Sequence, residues 1–124
     1  MNLLIDTHIL LWWLSDHTHL SKKSIQLIAD TRNNLYLSTA ALWEMAIKES
    51  LGKLELPQYF EFTLVSQGFQ DLPVKKAHVR QLSQLPLIHR DPFDRIQIAQ
   101  AITEGMTLIS ADTVFKQYPV TVIS

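Results

Sequence analysis

The chain has 124 residues, 47% hydrophobic and 19% charged, with 11 Lys+Arg against 12 Asp+Glu for a formal net charge of −1. That size and apolar content predict one folded domain over residues 1–124 and argue against disorder, and the charge balance excludes a general basic nucleic-acid binder. With no cysteine, disulfide scaffolds, thiolate zinc sites and thiol catalysis are excluded.

The three glycines are too scattered for a P-loop or a dinucleotide fingerprint, and no G-x-S-x-G turn is present. No stretch reaches the roughly 20 apolar residues of a membrane span. The apolar start MNLLIDTHILLWWL lacks a basic leading region and a small-residue cleavage site, and it carries Asp6. It therefore reads as folded structure rather than a signal peptide, with the cytoplasm as the expected compartment.

In chain order, short apolar runs alternate with stretches of helical spacing. Leu3–Ile5 reads as a buried strand, and Asp6 precedes a helix. Ser21 can cap a helix to about Thr31, with Ile25 and Ile28 on one face. Leu35–Leu37 is the next strand, and Ser38 can cap a helix that stops near Leu51, before Gly52. Pro57 suits the first turn of a helix to about Gln67. Phe69–Leu72 is a weaker strand candidate, ended by Pro73. Helices follow over Lys75 to about Leu82 and Asp91 to about Glu104, the latter closed by Gly105. Thr107–Ile109 and Val120–Ile123 are the last strands. This alternation predicts an α/β fold whose parallel sheet is covered on both faces.

In such a sheet the functional crevice lies beyond the carboxyl ends of the strands. The first strand ends in Asp6-Thr7 and the strand at Thr107–Ile109 runs into Ser110-Ala111-Asp112, so two strands deliver an aspartate to one edge. Each carboxylate also has a structural explanation. Asp6 can cap the helix after it, and Asp112 a short turn through Phe115. Glu44 lies on a helix apolar almost all round, where a carboxylate is costly to bury, unless it reaches solvent and pairs with Lys48. Asp91 is a good N-cap before Pro92, and Asp94 falls at the third helical position, favoured by the helix dipole. Carboxylates gathered in one crevice repel unless a cation sits between them. Oxygen ligands without cysteine point to a hard cation, Mg²⁺ or Mn²⁺, and to metal-dependent hydrolysis of a nucleic-acid backbone.

The segments LIDTHILLWWL, WEMAIKESLGKLELP, HRDPFDRIQIAQA and LISAD together resemble the PIN-domain ribonucleases, in the branch that contains VapC-type toxins of toxin–antitoxin modules. The resemblance covers nearly the whole chain. It implies a three-layer α/β/α sandwich with a central parallel sheet and an Mg²⁺- or Mn²⁺-dependent endoribonuclease. Asp6, Glu44, Asp94 and Asp112 match the family's acidic positions, and Thr7 and Ser110 match polar positions that support the site. Asp91 is an extra carboxylate of the DPFDR form, either an alternate ligand or a support behind the ligands. Lys48, Lys53, Arg90 and Arg95 are candidate RNA contacts at the rim, although each taken singly reads as a solvated charge. The implied partners are RNA, a VapB-type antitoxin and a second copy in a homodimer, with no membrane.

Two other classes remain beside the nuclease. One is phosphoryl transfer, but Asp6-Thr7-His8 offers neither the acidic pair of receiver domains nor the D-x-D of haloacid-dehalogenase phosphatases. The other is a PIN-like module that binds RNA or protein without turnover. His8 and His89 flank acidic residues, yet no paired spacing such as H-E-x-x-H makes them metal ligands, and a hydrogen-bonded structural role is expected. Trp12, Trp13 and Trp43 read as core or interface; base stacking requires exposure in the crevice. The segment Pro57–Gln67 carries Tyr59, Phe60, Phe62, Leu64 and Val65, more apolar surface than one core stripe needs, and can receive an amphipathic partner.

Overall fold

The computed structural model describes residues 1–124. Strands β1 (Asn2–Ile5), β2 (Asn34–Ser38), β3 (Phe69–Leu72), β4 (Thr107–Ile109) and β5 (Val122–Ile123) form a 5-stranded sheet in the order β3-β2-β1-β4-β5. Every neighbouring pair is parallel, with Leu3 opposite Leu35 on one side and Thr107 on the other. Between the strands run α1 (Thr7–Ser15), α2 (Lys22–Ala29), α3 (Thr39–Ser50), α4 (Phe60–Ser66), α5 (Lys76–Leu82) and α6 (Pro92–Glu104).

Side chains alternate across a strand, and here the alternation divides two cores. Leu3, Ile5, Leu35, Leu37 and Ile109 pack on one face with Ile9, Leu10, Ile28, Met45, Phe60 and Leu64 from α1 to α4. Leu4 and Leu108 face the other way, onto Ile96, Ile98 and Ala99 of α6 and onto Phe115. The predicted three-layer α/β/α sandwich with a parallel sheet is therefore what forms. All three β1 positions from Leu3 to Ile5 are fully buried, as a central strand covered on both faces requires.

The topology fixes where a site can lie. The chain steps outward from β1 through β2 to β3, and α5 and α6 then carry it back past β1 to β4. The strand order thus reverses direction between β1 and β4, which opens a crevice at their carboxyl ends. The Asp6 N–H donates to the Ile109 carbonyl at 3.0 Å, so the pairing of these two strands continues to the edge.

Most predicted elements form, with several boundaries displaced. Ser21, Ser38 and Asp91 cap α2, α3 and α6 through side-chain oxygens, and Gly105 closes α6 at φ 65°. The weaker candidate Phe69–Leu72 is the edge strand β3. Helix α2 stops at Ala29 rather than Thr31 because Asp30 turns to accept from the backbone and guanidinium of Arg32. Pro57 does not open α4. Tyr59 takes a left-handed conformation, φ 60°, and the helix starts only at Phe60. The last strand shortens to Val122–Ile123, because the Val120 N–H is bonded back to the Tyr118 carbonyl in a turn. Helix α3 is not buried all round: Trp43 is 64% exposed and Ile47 also faces solvent, as does Leu51 just past its end.

Candidate functional site

Asp6 leaves β1 at the position of an N-cap for α1, yet its side chain makes no capping bond. Oδ2 accepts the Ser110 hydroxyl at 3.0 Å, and Ser110 Oγ in turn accepts the Asp112 N–H at 3.1 Å. The ends of β1 and β4 are thereby stitched through one hydroxyl. Asp6 is only 3% exposed, and its Oδ1 is buried with no partner. Burial pushes the Asp6 carboxyl above the usual range, with the Ser110 bond holding it back in part.

Glu44 comes from α3 and is 7% exposed. Both of its oxygens are engaged, Oε1 with the Thr7 hydroxyl at 3.0 Å and Oε2 with Lys48 Nζ at 3.3 Å. The buried carboxylate and the Lys48 pair, set against each other in the sequence, coexist: the desolvated acid is kept by two donors.

Asp94, one turn into α6, is pushed up to about 7, chiefly by burial, then by the charges of Asp6 and Asp91, with Glu44 adding and His89 opposing. Two of these acids come from distant segments, Asp6 from the end of β1 and Glu44 from α3, while Asp91 is the cap of the same helix. Asp91 itself caps α6, accepting from the Phe93 and Asp94 N–H groups at 2.9 and 3.1 Å. Asp112 accepts from the Val114 N–H at 3.0 Å and caps the short turn Thr113–Gln117.

His89 joins the two outer acids. Its Nε2 lies 3.0 Å from Asp94 Oδ2 and 3.1 Å from Asp112 Oδ2. These three ligand-type atoms lie within 4.8 Å of one another. Nδ1 accepts the Asp91 N–H at 3.2 Å, so the ring hydrogen sits on Nε2 and is shared between the carboxylates. A nitrogen that carries hydrogen does not ligate a cation, which leaves a donor set of carboxylate oxygens. That set, with the unpartnered Asp6 Oδ1, fits a hard divalent cation. Asp6 and Asp112 also border a cavity of about 360 Å³, completed by His8, Trp12 and Ala111.

The PIN domain family profile matches residues 3–120. The chain belongs to the PIN domain family. No curated protein sequence matches it. Among solved structures, VapBC2 from Rickettsia felis, bound to a DNA fragment from its promoter, superposes with TM-score 0.74 at 16% identity, covering 99% of this chain and 98% of that one. FitAcB from Neisseria gonorrhoeae gives 0.66 at 17%, covering 98% and 96%. A toxin–antitoxin complex from Klebsiella pneumoniae gives 0.67 at 18%, covering 98% and 95%.

In this PIN domain the basic candidates separate. Lys48 reaches Glu44 and stands at the rim. Lys53 and Arg90 are exposed. Arg95 is turned away: its Nη2 lies 3.4 and 3.5 Å from the Leu82 and Leu85 carbonyls, at the end of α5. A cation there satisfies carbonyls that a helix leaves open. His89 is the residue that sequence reasoning undervalued. Its one signal was a place two residues before the Asp91 cap, and nothing local told which carboxylates it would meet.

Proposed function

We propose that this PIN domain is a divalent-metal-dependent endoribonuclease, the toxin of a toxin–antitoxin pair. What carries this reading is the linkage at the β1/β4 edge: Ser110 joins the Asp6 side chain to the Asp112 backbone, His89 bridges Asp94 and Asp112, Thr7 holds Glu44, and one Asp6 oxygen is buried without a partner. Asp6, Asp94 and Asp112 would hold Mg²⁺ or Mn²⁺, with Glu44 behind them on Thr7 and Lys48. A cation so held lowers the pKa of a bound water and offsets charge on a phosphodiester. The chain's own groups prepare that chemistry. Ser110 fixes the Asp6 carboxylate, Thr7 fixes Glu44, and His89 ties Asp94 to Asp112. Burial pushes the Asp94 carboxyl up to about 7, so it must give up its proton before it can hold the cation.

A VapB-type partner is supported by the toxin–antitoxin neighbours and by an apolar groove of about 660 Å³ between α3 and α4. Leu42, Trp43, Met45, Phe60 and Leu64 line it, and Phe62 beside it is 74% exposed. Trp43 also meets Phe93 edge-on, with centroids 5.1 Å apart, and so links the groove to the first turn of α6, the helix that carries Asp94. A partner helix lying there brings an arginine within reach of the carboxylates, which pair with guanidinium bidentately. A homodimer is the proposed assembly. No helix is long and apolar enough to cross a membrane.

The decisive experiment incubates the protein with labelled RNA and Mg²⁺ or Mn²⁺, beside an Asp6→Asn control. Cleavage that needs both the cation and Asp6 is expected. RNA binding with no cleavage under either cation would make the domain a binding module instead.

A further inference from the structure

Of the three tryptophans, Trp13 is tied to α4 through its Nε1–H on Gln67 Oε1 at 2.7 Å, and Trp43 borders the α3/α4 groove. Trp12 borders the carboxylates. Helix α1 starts directly after Asp6, so its first turns stand at the sheet edge, and His8 and Trp12, four residues apart, share one helix face. Together with Asp6, Ala111 and Asp112 they line the cavity of about 360 Å³, room for a nucleotide-sized group rather than a water. The indole is held in place. It packs against the first core, stacks on His19 at 5.2 Å and 21°, and lies 6.1 Å from the tilted His8 ring. A preplaced aromatic face loses little freedom on binding.

We propose that Trp12 is the wall of a nucleobase subsite next to the carboxylates, with one base of the bound RNA stacked on the indole. This rests on the nuclease reading above: when the carboxylates hold a cation against the scissile phosphate, an adjoining base falls into the cavity they share with Trp12. Bases inside a duplex have both faces covered, so a base stacked on the indole must be an unpaired one.

The test uses a labelled single-stranded RNA whose cleaved bond has been mapped, and copies with an abasic ribose on either side of that bond. Binding is read by anisotropy with the parent protein in Ca²⁺, and KM and kcat with the parent in Mn²⁺. Trp12→Ala should weaken binding of the intact strand about tenfold and raise KM more than it lowers kcat, with Trp12→Phe staying within about threefold. One abasic strand should bind about tenfold weaker than the intact one and lose nothing further with Trp12→Ala. Equal losses on intact and abasic strands, duplex bound as tightly as single strand, or no loss at all would overturn the subsite while leaving the nuclease. Should Trp12→Ala fail to fold, Trp12→Phe with the abasic strands decides the same question. A parent that neither binds nor cleaves RNA with Mg²⁺ or Mn²⁺ removes the nuclease reading itself, and the subsite with it.

Discussion

Ser110 donates its hydroxyl to Asp6 across 104 residues of sequence, at 3.0 Å and in a fully buried setting. The same oxygen accepts the Asp112 N–H. Ser110→Ala therefore leaves a buried carboxylate oxygen and a backbone N–H without partners. We expect a stability loss of about 1–3 kcal/mol by urea unfolding, together with weaker Mn²⁺ binding. An unchanged urea midpoint would show that the stitch between β1 and β4 contributes nothing.

Asp94 gives a pH dependence whose sign is fixed. Its carboxyl is raised from 3.8 to about 7 in the folded chain, so the folded state holds the proton more tightly than the unfolded one. The stability this confers on the metal-free protein is complete below the unfolded value and is lost as the pH rises through about 7. Asp94→Asn should flatten that decline in Tm and abolish cleavage. Mg²⁺ or Mn²⁺ should raise the parent's Tm, more at pH 8 than at pH 6, since the bound carboxylate must be ionised. A Tm gain that ignores pH would separate Asp94 from the cation.

Asp91 has two effects that different substitutions resolve. Loss of its cap in Asp91→Ala should cost about 1 kcal/mol of stability, and Asn or Ser should restore it. Because the Asp91 charge raises Asp94, Asp91→Asn should also lower the Asp94 pKa, read by carboxyl NMR titration. If Asn restores stability but not cleavage, Asp91 serves the metal site as well as the helix.

His89 bears hydrogen toward two carboxylates, which His89→Gln can imitate and His89→Leu cannot. Leu should lower Mn²⁺ affinity about tenfold or more, the usual effect of losing a group that orients ligands. Gln should stay within a few-fold of the parent. Loss of the Nε2 hydrogen on adding Mn²⁺'s diamagnetic counterpart Mg²⁺, seen in ¹⁵N spectra of the ring, would instead make the imidazole a ligand.

For the partner, binding should weaken when the arginine placed among the carboxylates becomes Ala, and Mg²⁺ should compete with it. On the toxin side, Trp43→Ala and Phe62→Ser should weaken the complex at little cost to the fold, because both rings are mainly exposed. Neutralisation that ignores both the arginine and the metal would place the inhibitory contact elsewhere on the surface.

Local chemistry made much of this protein legible in one dimension. Short buried strands, the Ser38 and Asp91 caps and the Gly105 stop depend on near neighbours, so β1, β2, β4, α3 and α6 could be read directly. The acidic positions at strand ends and helix starts were legible for the same reason, and so was the expectation that they gather at one sheet edge. Tertiary structure decided what each group meets. That Asp6 accepts from Ser110 instead of capping α1, that Arg95 turns to the end of α5, and that His89 bridges Asp94 and Asp112 all follow from contacts between segments far apart in the chain. The start of α4 was equally out of reach, because Tyr59 adopts a left-handed backbone that its own sequence disfavours. Hydrophobic period and capping are properties of a few consecutive residues. The partner of a buried polar atom is set by which strands the sheet makes adjacent, and here that is the return of the chain past β1 to β4.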